Sequence, residues 1–167
     1  MKNSYMYYDV HFFMNIIRRI FCRCASSVEG THHDYLNSIT YEQTQPFIPQ
    51  VSYCKVIKVY DGDTITVASK TTGTNIVYRF SVRLAGIDTP EMTSKNNVEK
   101  ERAIFVRDRL NDLVFGKIVL LQNLSMEKYG RILADIYLDD LHVNQYMIDN
   151  QYAYLYNGGK KQAFVEK

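Results

Sequence analysis

Cysteine is scarce in this chain, and what little there is excludes two kinds of architecture. Cys22, Cys24 and Cys54 are odd in number and show neither C-x-x-C spacing nor histidines at zinc-site intervals. Neither a disulfide framework nor a structural zinc is therefore supported, and the compartment is left open. No apolar run approaches the roughly 20 residues that span a bilayer, which excludes a transmembrane helix. Charge of one sign is also short: the formal net charge is +2. That total neither suggests nor excludes a nucleic-acid partner, because phosphate contacts need local clusters of Lys and Arg. There is no internal repeat and no low-complexity tract. What remains is a chain of 167 residues, 46% hydrophobic and 23% charged, which reads as one soluble globular domain with a modest extension and a core that needs no staples.

Residues 1–50 differ from the rest. An aromatic and aliphatic piece, "MYYDVHFFMNIIRRIFCRC", is followed by a polar stretch rich in Ser, Thr, Gln and Pro that reads as a linker. The domain boundary is expected near Gln50, with residues 51–167 forming the domain. From Val51 strands come first: "VSYCKVIKVY", a turn at Asp61-Gly62, "DTITVAS", a polar loop, and "IVYRFSVRLAGI", in which Tyr78, Phe80, Val82 and Leu84 alternate with Arg79, Ser81 and Arg83. Asp-Gly at that position predicts a type I′ turn, with φ > 0 at both central residues. A helix is expected from about Asn97 to Phe115, with Ala103, Val106, Leu110, Leu113 and Val114 as its buried stripe and Gly116 as its stop. Strands "KIVLLQN" and "RILADIYL" follow, then a short strand at Leu141 to Val143 and a helix with Asn144 as N-cap. Five or so antiparallel strands with one amphipathic helix before the fourth is the order of an OB-type barrel, an α+β, mainly β fold with two or three helices.

The chemistry concentrates in three short segments. In "VYDGDTITV", residues 59 to 67, Asp61 serves the turn but Asp63 is surplus to it and shares a face with Ile65 and Val67, where a carboxylate is costly without a partner. In "RLAGIDTPE", residues 83 to 91, Ala85-Gly86 lets the chain bend, and a turn fixed by Pro90 carries Asp88 and Glu91. Asp63 and Asp88 with the Thr89 carbonyl suit a hard cation, which prefers oxygen ligands. In "EKYGRILA", residues 127 to 134, Tyr129-Gly130 turns the chain and Arg131 opens the next strand. Two arginines, three carboxylates and a divalent ion match phosphodiester hydrolysis. The ion neutralises phosphate and acidifies water, a carboxylate handles the proton, and guanidinium forks stabilise the added negative charge.

"DGDT", "RLAGIDTPE", "KYGRILA" and "AYLY", in this order, resemble the staphylococcal nuclease family over essentially residues 51 to 161. The resemblance implies a five-stranded OB barrel and cleavage of single-stranded or frayed DNA and RNA at the 5′ P–O bond. It places calcium ligands at Asp63, Asp88 and the Thr89 carbonyl, the general base or water-orienting carboxylate at Glu91, and the phosphate-binding arginines at Arg83 and Arg131. Nucleotide contacts are implied for Lys128, Tyr129, Tyr154 and Tyr156. This chain departs from the bacterial secreted enzymes in a longer "ASKTTGTNIVY" loop, an earlier C-terminus and residues 1–50.

Blander readings stand beside these. Asp61 reads as a turn residue, His32 and His33 as linker residues, and Cys54 as a small buried hydrophobe. An EF-hand reading of "DGDTITVASKTTG" fails because Ile65 occupies a ligand position. A non-catalytic nucleic-acid-binding barrel is the rival function, but such a module would be expected to lack some of Asp63, Arg83, Glu91 and Arg131. In "VHFFMNIIRRIFCRC" the apolar stripe Val10, Phe13, Met14, Ile17, Ile20, Phe21 and Cys24, with Arg18, Arg19 and Arg23 off it, predicts a basic amphipathic helix and peripheral membrane contact through residues 10–24. Arg18-Arg19 interrupts any secretory h-region, Lys2 excludes myristoylation, and Cys22 and Cys24 are positioned to accept palmitate.

Overall fold

The structure is a computed structural model that describes residues 32–159. The expected amphipathic helix over residues 10–24, with Cys22 and Cys24, lies outside the described residues. The chain divides into two compact units between Gln45 and Pro46. In the first, a 3-10 turn at Tyr41–Gln43 is closed by the Thr40 backbone N–H, which donates to Gln43 Oε1 at 2.8 Å. No helix among the described residues is long and apolar enough to cross a membrane.

The second unit contains β1 (Tyr53–Val59), β2 (Thr64–Lys70), β3 (Val77–Leu84), β4 (Ile87–Asp88), α1 (Asn97–Val114), β5 (Ile118–Met126), β6 (Ile132–Leu138), β7 (Leu141–His142), α2 (Val143–Asp149) and β8 (Tyr154–Leu155). Strands pair in the order β3-β2-β1-β5-β6, and a parallel β3–β6 pairing closes the circle. This is the five-stranded OB-type barrel that the strand order predicts. Its one parallel contact departs from an all-antiparallel expectation, because β3 and β6 meet only after α1 and β5 have carried the chain around the barrel. Alternation does the rest: Val56, Ile65, Val67, Val82, Leu84, Ala134 and Ile136 point inward and are fully or almost fully buried.

Helix α1 packs Val106, Leu110 and Val114 into the barrel core. The Asn96 side chain caps it by accepting from Val98 N–H at 2.9 Å. Ala103, Val106, Leu110 and Val114 form its buried stripe, and Gly116, at φ +75°, turns the chain into β5. Helix α2 adds Val143 and Met147 to the same core.

Three local expectations are corrected. The Asp61-Gly62 connection is not a type I′ turn, since neither residue has positive φ. Glycine is needed there for its missing Cβ: one built at Gly62 would stand 2.5 Å from Val106 Cγ1 and 3.0 Å from Thr89 Cβ. β7 ends at His142, so α2 begins at Val143 with His142 as N-cap in place of Asn144. Asn144 is instead a buried tie, accepting from Ile136 N–H at 3.0 Å and donating to the carbonyls of Ala85 and Ala134 at 2.9 and 3.2 Å. Buried backbone groups at the bend after β3 are thereby satisfied by a side chain.

Gly62→Ala is expected to destabilise the barrel by about 1–3 kcal/mol, the usual cost of overpacking a filled site. Urea denaturation checks it, and a loss below about 0.5 kcal/mol would show that α1 yields freely.

Candidate active site

One cleft of about 450 Å³ gathers most of the residues singled out in the sequence. It is bounded by Asp61 and Asp63 from the β1–β2 connection, Arg83 from the end of β3, Thr89 to Met92 after β4, Glu127 to Tyr129 and Arg131 from the β5–β6 hairpin, and Tyr156 and Gly159 after β8. Four connecting segments and one strand end thus converge, and the β3–β6 pairing brings Arg83 opposite Leu133, two residues past Arg131.

Asp63 finds its partner in Arg83. The carboxylate Oδ2 lies 2.5 Å from Arg83 Nη1, and Oδ1 accepts from the Thr64 hydroxyl at 2.9 Å. Arg83 Nη2 donates to Asp88 Oδ1 at 3.0 Å and to the Ile87 carbonyl at 3.2 Å. One buried guanidinium therefore ties the first acidic turn to the second. Burial, with the Asp61 charge next, pushes the Asp63 carboxyl up to about 7 against the pull of Arg83. Burial works against the charge of Arg83 too, but Asp63 and Asp88 outweigh it and hold its pKa above the ordinary value.

Arg131 is held differently. Gly130, at φ +79°, completes a tight connection in which Gly130 N–H donates to the Glu127 carbonyl and Glu127 N–H to the Arg131 carbonyl, each at 2.9 Å. The two side chains consequently face each other. Arg131 Nε and Nη2 meet Glu127 Oε2 and Oε1 at 2.6 and 2.8 Å, a two-pronged fork, while Nη1 donates to Thr64 Oγ1 at 3.3 Å. This hydrogen bonding holds Glu127 below the usual carboxylate range and raises Arg131.

Glu91 borders the cleft, and its backbone N–H donates to Glu99 Oε1 at 3.4 Å. Lys128 Nζ sits 4.8 Å from the centre of the Tyr129 ring, which is largely exposed. Tyr156 borders the cleft, with its N–H on the Gly86 carbonyl at 2.8 Å and its hydroxyl on the Gly159 carbonyl at 2.9 Å. Tyr154 does not border it: it lies in β8, in register with Asp88 of β4, and serves to hold that turn. Two residues enter the site without having been singled out for it. Asp61 accepts from Asp63 N–H at 3.2 Å and adds its charge to the cleft. Glu127 was signalled only by an acid four residues before an arginine across a Tyr-Gly turn.

Comparison with known proteins fits this geometry. A family model described as staphylococcal nuclease homologue matches residues 81–166, just over half the chain, and the chain belongs to that family. An uncharacterized endonuclease of Escherichia coli is 29% identical over 123 residues, covering 73% of this chain and 72% of that protein. One from Haemophilus influenzae is 33% identical over 103 residues, covering 62% and 52% respectively. A staphylococcal-like nuclease of Arabidopsis thaliana is 34% identical over 89 residues, covering 53% of this chain and 26% of that protein.

Glu127→Gln removes one prong of the fork on Arg131 and is expected to speed solvent exchange of the Arg131 Nε–H, measured by NMR. Stability should fall by less than about 1 kcal/mol, because the pair is partly exposed. Unchanged exchange would show that the fork does not hold Arg131 in solution.

Proposed function

We propose that this chain is a calcium-dependent nuclease that hydrolyses phosphodiester bonds of DNA and RNA without base specificity. The observation that carries the reading is the convergence of Asp63, Arg83, Glu91 and Arg131 on one cleft, together with membership of the family.

The donors suit a hard cation. Asp61, Asp63 and Asp88 with the Thr89 carbonyl offer oxygen only, and burial first, with the Asp61 charge second, holds the Asp63 carboxyl above its ordinary range, so that a cation there would stabilise its ionised form. Among the described residues no three acidic, histidine or cysteine side chains form a ready-made metal cluster, so Asp63, Asp88 and the Thr89 carbonyl would hold the ion with solvent and substrate completing its shell. Calcium, when bound, supplies positive charge against the phosphate and makes water more acidic.

The chain's own residues do the remainder. Arg83 and Arg131 present guanidinium N–H groups where the phosphate gains charge in the transition state, and their planar forks match its oxygens. Both are already fixed, Arg83 by two carboxylates and Arg131 by Glu127, so little rotamer freedom is lost on meeting substrate. Glu91 takes or orients the proton of the attacking water. Lys128 and Tyr129, on the rim, contact the nucleotide, and Tyr156 packs on a base. Stacking and phosphate contacts of this kind do not distinguish one base from another.

Labelled single-stranded DNA and RNA should be cut in calcium and left intact in excess chelator; undiminished cleavage in chelator overturns the metal assignment. Asp63→Ala and Asp88→Ala should each reduce activity, and magnesium should substitute poorly because it demands a stricter octahedral shell.

Arg83→Lys and Arg131→Lys are each expected to slow turnover by roughly a hundredfold, the loss of about 3 kcal/mol of transition-state stabilisation. Glu91→Gln should lower kcat while leaving substrate Kd near wild type. Near-normal turnover in both lysine variants would remove the arginines from the chemistry.

A further inference from the structure

The strands that lead away from the cleft carry a second charge pattern. Across β1, β2 and β3 the cationic side chains are Lys55, Lys58, Lys70, Arg79 and Arg83, and there is no carboxylate; the β2–β3 loop at 71–76 has no charge either. Arg83 belongs to the cleft. The other four are exposed.

Register places them on one face. Thr64 lies opposite Arg83, and its hydroxyl touches both Asp63 and Arg131, so the polar face of β2 and β3 is the face that opens on the cleft. Successive pairs on that face are Thr66 with Ser81, Ala68 with Arg79, and Lys70 with Val77. The run from Thr64 to Lys70 is about 20 Å at the usual rise of a strand.

Strand β1 adds two lysines by means of a defect. Lys55 and Lys58 are three residues apart and in a regular strand would point to opposite faces. The register shifts between Val56 and Lys58, so Lys55 lies opposite Ala68 and Lys58 opposite Thr66. Both lysines therefore share the face with Arg79, as a bulge re-aims side chains. At its far end, Tyr53, Lys55, Lys70, Val77 and Ile118 border a shallow groove of about 620 Å³, with Tyr53 and Ile118 well exposed.

We propose that this face is a binding track for the backbone of a single nucleic-acid strand, running from the cleft past Lys58, Arg79 and Lys55 to Lys70 and the exposed ring of Tyr53. The proposal rests on the nuclease reading for its substrate class and extends the contact with the strand beyond the cleft. Charge complementarity selects the occupant: cations without a competing carboxylate, beside an aromatic surface, track a phosphate backbone while the ring stacks on a base.

The test compares wild type with a variant carrying Lys55→Gln, Lys58→Gln, Lys70→Gln and Arg79→Gln. Substrates are dithymidylate and an oligothymidylate of about 20 nucleotides, longer than the ~4–16 that an OB barrel occupies. On the long strand kcat/KM should fall roughly tenfold or more at low salt, and the slope of log KM against log salt should flatten by about 0.7 for each phosphate that the variant no longer neutralises. Turnover of dithymidylate should not change. Anisotropy binding of the long strand in chelator gives a readout that needs no cleavage, so an inactive wild type would count against the nuclease reading while binding still tests the track. Equal losses on both substrates, or an unaltered salt slope, would overturn the proposal. So would unchanged binding together with a loss of self-association in the centrifuge, which would assign the face to a second copy of the chain. If the fourfold variant fails to fold, Lys55→Gln with Arg79→Gln carries the same comparison.

Discussion

One buried guanidinium organises the cleft. Arg83 joins Asp63 on one side to Asp88 and the Ile87 carbonyl on the other, so the turn before β2, the end of β3 and the segment after it cannot move independently. All three side chains are nearly excluded from solvent. Removing one member of such a set costs about 3–5 kcal/mol, because the charges left behind keep their desolvation penalty. An apolar replacement of similar volume would be easier to bury. Burial first and the Asp61 charge second hold Asp63 above its ordinary pKa against the pull of Arg83, so this set of charges is kept at a cost that packing alone does not require.

The two arginines divide the work of positioning in different ways. Arg83 is locked by tertiary structure, through partners from two separate connections. Arg131 is locked by local structure: the Gly130 turn places Glu127 across from it, and the same few residues would bring them together in any barrel able to hold this hairpin. The Thr64 hydroxyl lies between, touching Asp63 and Arg131 at once. A threonine that reads as an ordinary β-branched strand residue is thus a direct polar link between the two halves of the cleft.

Much of this was legible in the sequence because periodicity and turn chemistry are local. Alternation in "IVYRFSVRLAGI" and "RILADIYL" gave the barrel strands, the stripe from Ala103 to Val114 gave α1, and an acidic residue on the apolar face marked Asp63 as anomalous. What stayed hidden depends on partners far along the chain. Gly62 looked like a φ > 0 requirement, and only the approach of Val106 and Thr89 shows that it is a volume requirement. Asn144 had the chemistry of a helix cap, yet its amide is claimed by Ala85, Ala134 and Ile136. Asp63 stood out on the apolar face, but its ion pair with Arg83, twenty residues on, could not be read from either segment alone. Lys55 and Lys58, three residues apart, would point to opposite faces of a regular strand, and the bulge that aligns them is visible only in the pairing with β2. Asp61 had a sufficient local explanation as a turn residue, which concealed its place in the cleft, and Glu127 drew no reading because its partner Arg131 faces it only across the turn.

The short β4–β8 ladder sets when the site can exist. Asp88 is paired with Tyr154, and the bend at Gly86 is fastened by Tyr156 N–H, so the second acidic turn is held by residues made long after it. At a synthesis rate of ~5–20 residues per second, roughly 3 to 13 s separate Asp88 from Tyr154. During that interval the nascent chain carries Asp63, Arg83 and Asp88 without the strand that fixes the second acidic turn. The order of the chain thus delays an organised cleft until β8 has emerged.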